Sequence, residues 1–186
     1  STKITIFPSN ILEMNNDIIG KYDKVIGNLP YYISSEILLK MIKTISNQKD
    51  LHFMLQKEVA ERISSSTHSK SYGRLSVMLQ YFFNIELLFD IQPESFSPPP
   101  KVISSLVRLI PKINHINKVK NINSFEKLLK ISFSQKRKTI KNNLKSILNY
   151  DDLNILEINP QDRAEMLTLA DFVRIENYIF DKIILD

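Results

Sequence analysis

The feature that most constrains the fold is a strand–helix–strand pattern in the first third of the chain. Two apolar runs rich in β-branched and aromatic residues, DKVIG (23–27) and LHFML (51–55), flank a segment with helical spacing, SSEILLKMIKTI (34–45). A crossover of this length joins two strands into a right-handed βαβ unit. The pattern therefore predicts an α/β fold with a parallel sheet, to which KITIF (3–7) would add a strand.

The segments that follow extend this domain. Helices are expected at 57–64 and from about residue 73, and the alternating segments 84–91 and 101–110 have the pattern of antiparallel edge strands. Between these strands, the three consecutive prolines of PESFSPPPK exclude a helix or a central strand. The sequence therefore predicts a rigid loop there.

The chain changes character after Pro111. A polar linker at 113–123 precedes several segments with helical spacing, among them KRKTIKNNLKSIL (136–148) and TLADFVRIENYIF (168–180). We therefore expect two domains: a sheet domain over 1–111 and a small α-helical domain over 112–186.

The charge is unevenly distributed along the chain. The net charge is +5, but residues 111–148 hold ten basic residues and one acidic residue, Glu126, whereas 149–186 hold three basic and nine acidic residues. A basic stretch of this kind suggests a phosphate-rich partner. The alternative is an ordinary amphipathic helix, whose solvated face would carry the lysines and whose other face would be apolar.

Composition excludes several kinds of site. With no cysteine, the chain can form no disulfide, thiolate metal site or cysteine nucleophile. The three histidines, His52, His68 and His115, lie far apart and lack zinc-ligand spacing, so no metal is expected. No signal peptide or membrane-spanning run is recognisable, and we expect a monomer with no membrane contact that is cytoplasmic, or inside an organelle if a transit peptide was removed.

The segment NLPYYIS (28–34) stands where the first βαβ strand ends, and ligands of open parallel sheets bind at such ends. Pro30 fixes its own backbone and pushes Leu29 into an extended conformation. An amide oxygen from Asn28, a main-chain carbonyl and an aromatic face together suit an exocyclic amine on a nucleobase. The alternative is a plain strand-to-helix turn with surface tyrosines.

Asn-Leu-Pro-Tyr resembles the motif of S-adenosylmethionine-dependent amino methyltransferases that act on adenine N6. Further segments, in the same order, are similar to the small-subunit ribosomal RNA adenine dimethyltransferases: FMLQKEVAERI (53–63), YGRLSVMLQYF (72–82), FSPPPKVISSLVRL (96–109), FSQKRKTIKNNL (133–144) and INPQDRAEMLTLADFVRIENYI (158–179). The resemblance implies a Rossmann-like methyltransferase sheet followed by a small α-helical domain. It also implies dimethylation of adjacent adenines in 16S-type RNA of the 30S-type subunit, with S-adenosylmethionine as the cofactor.

The resemblance also implies roles for individual residues. Asn28 would accept a hydrogen bond from the target N6 amine, Tyr31 would stack on the flipped adenine, and Phe96 would close on its other face, although Phe96 could instead fill a core beneath the proline loop. The cofactor would contact Asn10, Asn28, Leu29 and Pro30. Ribosomal RNA would contact the basic segment, which is Lys136, Arg137, Lys138, Lys141 and Lys145.

Two other activities fit the same motifs. A relative without catalysis could bind ribosomal RNA during ribosome assembly or act as an organellar transcription factor. A large-subunit methylase would share NLPY (28–31), but we expect it to match residues 133–179 less well.

The chain departs from the family pattern in its cofactor site. The family's glycine-rich loop is missing, because Gly20, Gly27 and Gly73 form no such loop, and Asn10 stands where the family usually has aspartate. The chain also starts at Ser1 and enters a strand pattern almost at once. We therefore expect the N-terminal part of the methyltransferase domain to be missing from these residues.

A first prediction follows from this departure. These 186 residues alone should bind S-adenosylmethionine more weakly than micromolar, because the loop that cradles the cofactor is not among them. Isothermal titration calorimetry tests this directly. A micromolar dissociation constant would contradict it.

Overall fold

The computed structural model describes residues 4–45, 47–112 and 118–185. Its strands are β1 (Lys24–Asn28), β2 (Asp50–Gln56), β3 (Phe83–Ile91) and β4 (Ser104–Pro111). Its helices are α1 (Asn16–Ile19), α2 (Ser34–Ile42), α3 (Lys57–Ser64), α4 (Arg74–Phe82), α5 (Ile122–Ser132), α6 (Ile140–Leu144), α7 (Tyr150–Ile155) and α8 (Leu169–Leu185). Short 3-10 turns occupy Tyr31–Ile33, Pro93–Ser95 and Ala164–Met166.

The sheet has the order β1-β2-β4-β3. Strands β1 and β2 pair in parallel and α2 connects them, so the predicted βαβ unit is confirmed. Strands β3 and β4 pair antiparallel, as expected, with an irregularity between Leu87 and Phe89. The sheet is therefore mixed, and its parallel pair forms one side.

The prediction that 101–110 forms an edge strand is wrong, because β4 lies between β2 and β3. A charged residue favours an edge strand when it needs solvent. Arg108 of β4 does not need it, because it lies between acidic partners on both neighbouring strands. The Arg108 guanidinium donates to the carboxylate of Asp50 at 2.8 and 3.1 Å and lies 3.4 Å from Glu86. Paired in this way, an arginine fits an interior strand.

The strand predicted at 3–7 is also wrong for the described residues 4–7, which belong to no strand. Ile4 and Ile6 are 86% and 82% exposed. A β-branched sequence forms a strand only where a neighbour offers ladder hydrogen bonds and a surface to pack on. No described strand offers either to this segment.

Two buried apolar clusters form the interior. The first joins the sheet to α2 and α3, and the second joins α4 to the helices after residue 121. Helix α4 contributes to both, because Leu79 belongs to the first cluster and Met78 and Tyr81 to the second. The division into domains at 111/112 stays a prediction, and α4 is the element that joins the two clusters.

Helix α8 holds the described part of the predicted linker through buried polar contacts. The Glu176 carboxylate is fully buried and accepts hydrogen bonds from the Lys120 and Asn121 N–H groups at 2.8 and 3.1 Å. Asn121 in turn caps α5, which already begins at Ile122. The linker is therefore shorter than predicted at its C-terminal end, and 113–117 lie outside the described residues.

A second buried carboxylate joins α7 to α8. Asp152 is 4% exposed and accepts hydrogen bonds from the Tyr178 hydroxyl at 2.6 Å, the Lys182 ammonium at 2.9 Å and the Asn149 N–H at 2.8 Å. Burial raises the pKa of this carboxyl. The hydrogen bonds from Tyr178, Asn149 and Lys182 outweigh burial and hold the pKa below its usual value of 3.8.

This lowered pKa predicts a specific loss of stability in acid. Because the unfolded chain binds the Asp152 proton at higher pH than the folded chain, the contribution is present above about pH 5 and is lost as pH falls through the folded pKa. Asp152→Asn should lower the free energy of unfolding at pH 7 by about 1–3 kcal/mol and flatten its decline below about pH 4. Urea titrations between pH 2 and 7 measure both effects.

The matched control is Asp151→Asn, which changes the exposed neighbouring aspartate of the same helix turn. It should leave the acid decline close to that of the wild type. Parallel curves for Asp152→Asn and the wild type would contradict the assignment.

Candidate active site and nucleic-acid interface

The carboxyl end of β1 turns directly into α2. The Leu29 N–H continues the parallel ladder by donating to the Met54 carbonyl at 3.2 Å, and the Leu29 side chain is only 7% exposed. The Ile33 N–H donates to the Pro30 carbonyl and the Ser34 hydroxyl to the Tyr31 carbonyl, at 3.2 and 3.1 Å. The turn is therefore fixed by the sheet on one side and by the helix start on the other.

Gly27 permits the close packing behind this turn. A Cβ atom there would lie 3.0 Å from a Leu29 methyl group and 3.1 Å from the Phe53 ring. Any larger residue would push Leu29 or Phe53 away from its core position. The small residue before Asn28 thus lets Leu29 anchor the turn.

The turn and the proline loop enclose a cleft of about 330 Å³. The residues lining it are Asn28, Leu29, Pro30, Tyr31, Phe96, Pro98 and Pro100. The structure therefore brings together five residues that the sequence analysis singled out at two distant positions in the chain. Their individual roles stay predictions.

The polar and aromatic side chains of the cleft differ in how firmly they are held. The Asn28 side chain is exposed and forms no hydrogen bond with any described residue, so its amide oxygen can accept from a ligand. The Tyr31 hydroxyl lies 2.6 Å from Ser104 Oγ. Phe96 is partly exposed and belongs to neither buried cluster, which argues against its filling a core beneath the loop.

Asn10 does not line this cleft. Its amide oxygen accepts from the Leu12 N–H at 3.0 Å, and its amide nitrogen donates to Glu13 at 3.1 Å. These bonds stabilise the local turn, because a short polar side chain satisfies N–H groups that no strand ladder satisfies. Asn10 has one lone pair left for a cofactor, and the described residues near it form no glycine-rich loop.

The residues present therefore fit the methyl-accepting side of the reaction better than S-adenosylmethionine itself. The free Asn28 amide and the rigid turn suit the methyl-accepting side, where a nucleobase amine must be held. Among the described residues, no cluster of three or more acidic or histidine side chains could hold a metal ion. Likewise, no described helix is long and apolar enough to cross a bilayer.

The basic segment forms a turn rather than one long helix. Lys136, Arg137 and Lys138 lie between α5 and α6, whereas Lys141 lies within α6 and Lys145 at its end. The prediction of a continuous helix over 136–148 is therefore wrong, and only the last two lysines share a helix face. All five cations are exposed, and none forms an ion pair with a described acidic residue.

Local hydrogen bonds explain why the helix begins late. Thr139 caps α6, and the Asn143 amide donates to the Ser132 and Gln135 carbonyls at 2.6 and 3.3 Å. The Ile140 N–H donates to the Asp162 carbonyl at 2.6 Å. Capping side chains compete with helix extension, so these contacts hold the cation-rich turn open toward solvent.

Sequence reasoning missed Ser104, which contacts Tyr31. The two serines at 104–105 open a strand and carry no recognisable motif of their own. The contact arises because β4 pairs with β2, which sets Ser104 opposite Gln56 near the end of β1. A single sequence holds no signal for this register.

The mixed sheet, its covering helices and a cleft at the carboxyl end of a parallel strand form an α/β fold with a candidate ligand site where such folds bind their ligands. The family described as "Ribosomal RNA adenine dimethylase" matches residues 2–181, and the chain belongs to this family.

Named relatives agree with this assignment. "Ribosomal RNA small subunit methyltransferase A" of Neisseria gonorrhoeae (strain ATCC 700825 / FA 1090) is 48% identical over 181 residues, which are 97% of this chain and 70% of that protein. The protein of the same name from Coxiella burnetii (strain RSA 493 / Nine Mile phase I) is 44% identical over 179 residues, covering 95% of this chain and 69% of that protein.

Solved structures support the fold. The crystal structure of a dimethyladenosine transferase from Plasmodium falciparum has a TM-score of 0.74 and 28% identity, and the match covers 96% of this chain and 70% of that one. The crystal structure of the 23S rRNA methyltransferase ErmE has a TM-score of 0.64 and 18% identity, and the match covers 84% of this chain and 65% of that one. At that identity, the second likeness shows the fold alone.

Proposed function

We propose that this protein is a ribosomal RNA adenine N6,N6-dimethyltransferase that modifies adjacent adenines of small-subunit RNA. The observation that carries the proposal is the cleft in which the free Asn28 amide, the Tyr31 ring and Phe96 meet at the end of β1. Membership in the adenine dimethylase family and the names of its relatives support the substrate. We propose that the protein binds the 30S-type subunit as a monomer in the cytoplasm.

The chemistry requires a poor nucleophile to be oriented. Adenine N6 has its lone pair delocalised into the ring, so acceptors on its hydrogens favour a pyramidal nitrogen. In the proposed mechanism, the Asn28 amide oxygen and a main-chain carbonyl of the turn accept these hydrogens, while Tyr31 and Phe96 stack on the two faces of the base. S-adenosylmethionine supplies an electrophilic methyl group.

Positioning is the larger part of catalysis in this mechanism. The residues of the cleft would hold N6 toward the methyl group of the cofactor, which would keep the electron pair of its sulfur–carbon bond while the N6 proton left to solvent. A rigid turn that orients the amine supplies alignment without a covalent intermediate. The second round needs only that the open cleft admit one methyl group, since a hydrogen remains on N6 to be bound.

The exposed cations supply a docking surface for the RNA. These five positive side chains have no acidic partner among the described residues, although the Lys141 ammonium lies 5.1 Å from the centre of the Tyr150 ring. They can attract phosphates, and this attraction weakens with salt. In this proposal the cleft acts on the base, while the basic segment binds the surrounding RNA.

The direct test is the Asn28→Ala substitution in the full-length protein. Methyl transfer is assayed on small ribosomal subunits whose adenines are not yet dimethylated. Loss of the oriented acceptor should reduce methyl transfer at least about 100-fold and leave RNA affinity within about twofold. Mass spectrometry of nucleosides measures monomethyl- and dimethyladenosine, and filter binding measures affinity. Asn84→Ala, which removes an exposed asparagine of β3, is the control.

Turnover by Asn28→Ala close to that of the wild type would contradict the role of the cleft. A wild-type protein that binds small subunits without methylating them would instead favour the non-catalytic assembly factor.

The basic segment makes a separate prediction. Lys138→Glu combined with Lys141→Glu should weaken binding to small-subunit RNA and reduce the slope of log affinity against log salt by about two, because each lost phosphate contact removes nearly one released counterion. The charge-matched control is Lys21→Glu with Lys49→Glu, at exposed sites away from this segment. An unchanged slope would leave the segment as an ordinary solvated surface.

A further inference from the structure

Tyr31 is held at both ends by buried serines. Its carbonyl accepts a hydrogen bond from Ser34 at 3.1 Å, and its hydroxyl shares one with Ser104 at 2.6 Å. Ser34 and Ser104 are 1% and 0% exposed, whereas the Tyr31 ring lines the cleft. The two contacts fix both the backbone and the far end of a side chain that faces the ligand.

The hydroxyl contact controls the direction of the ring. The phenol oxygen lies on the long axis of the tyrosine side chain, so a hydrogen bond there fixes where that axis points. A separation of 2.6 Å is at the short end for two hydroxyl groups, which indicates a well-formed bond. Without it, the side chain could adopt other rotamers, because one side of the ring borders an open cleft.

The backbone of Ser104 is fixed by two neighbouring strands. It opens β4 and pairs with Gln56 of β2 on one side and Ile91 of β3 on the other, so it cannot move without disturbing both ladders. The preceding residue, Ile103, lies between the proline loop and β4, and its carbonyl accepts a hydrogen bond from the Lys57 N–H at 2.9 Å. Through Ser104, the Tyr31 side chain is therefore attached to β4, the strand that follows the loop carrying Phe96.

We propose that Ser104 is a positioning residue that holds the Tyr31 ring as one wall of the adenine pocket, and so sets the affinity for the extruded base. This inference rests on the proposed function, because it gives the cleft an adenine ligand. Ser104 acts only through Tyr31 and does not touch the base. Its contribution should therefore disappear when Tyr31 lacks its hydroxyl.

The test compares the wild type with Ser104→Ala, Tyr31→Phe and the double variant, with free adenosine as the probe. Adenosine titrations followed on the methyl NMR signals of Leu29, which lines the cleft, measure affinity without cofactor or turnover. Each single variant should weaken adenosine binding about threefold to tenfold, the range that one neutral hydrogen bond supports. The double variant should bind no more weakly than either single variant.

Two further measurements separate positioning from folding. In protein labelled with [13C]tyrosine, Ser104→Ala should shift the Tyr31 Cζ signal, which Tyr31→Phe identifies by its loss. The matched control is Ser105→Ala, which removes the neighbouring buried serine and its 2.6 Å hydrogen bond to Asp90. This control should leave both adenosine affinity and the Tyr31 signal unchanged. Tyr31→Phe removes the same bond from the partly exposed side, in case Ser104→Ala folds poorly.

The outcomes distinguish the inference from the proposed function. If wild-type protein binds adenosine and Ser104→Ala binds it equally well, the positioning role is wrong while the adenine pocket stands. Additive losses in the double variant would also overturn it, because the two residues would then act separately. If adenosine causes no change at Leu29 in the wild type, the adenine pocket itself is wrong and the inference falls with it.

Discussion

The hydrogen bond from the Leu29 N–H to the Met54 carbonyl is the constraint on which the candidate site depends. It extends the parallel ladder one residue beyond β1, so Leu29 stays in the core while Asn28 and Pro30 on either side remain exposed. The period of two along a strand thus decides that the amide faces the cleft rather than the interior. Gly27 makes this possible by leaving room for Leu29 against Phe53.

The uneven charge of the chain has a structural explanation at its acidic end. Several carboxylates of the last forty residues are used internally: Glu176 binds the segment before α5, Asp152 binds Tyr178 and Lys182, and Asp171 binds Thr168 and Arg174. They stabilise the helices and do not neutralise the basic segment. The cations of that segment therefore stay available to a phosphate-rich partner, although the chain as a whole carries only a modest net charge.

The parts of the fold that sequence could predict are those set by local pattern. Each element must bury one face, and this requirement sets the spacing of its apolar residues. It made α2, α3, α8, β1 and β2 predictable. The interior position of β4 was not predictable, because Arg108 depends on partners from two other strands. The late start of α6 was missed for a similar reason, since Asn143 bonds to carbonyls eight and eleven residues earlier. Non-local contacts decided each of these cases.

The candidate site likewise combines residues that local sequence motifs reveal with residues that only non-local contacts bring in. Residues 28–31 and Phe96 could be found by resemblance, but Ser104 enters only through sheet register, and Asn10 satisfies its own turn instead of lining the cleft. Among the seven lining residues, Tyr31 carries the one ionisable side chain, and its hydroxyl is engaged with Ser104. Among the described residues that line the cleft, none offers a carboxylate or imidazole as a general base. Under the proposed function, these residues act by orientation, and the hydrogen bonds from the Leu29 N–H to Met54 and between Tyr31 and Ser104 are then part of the catalytic apparatus.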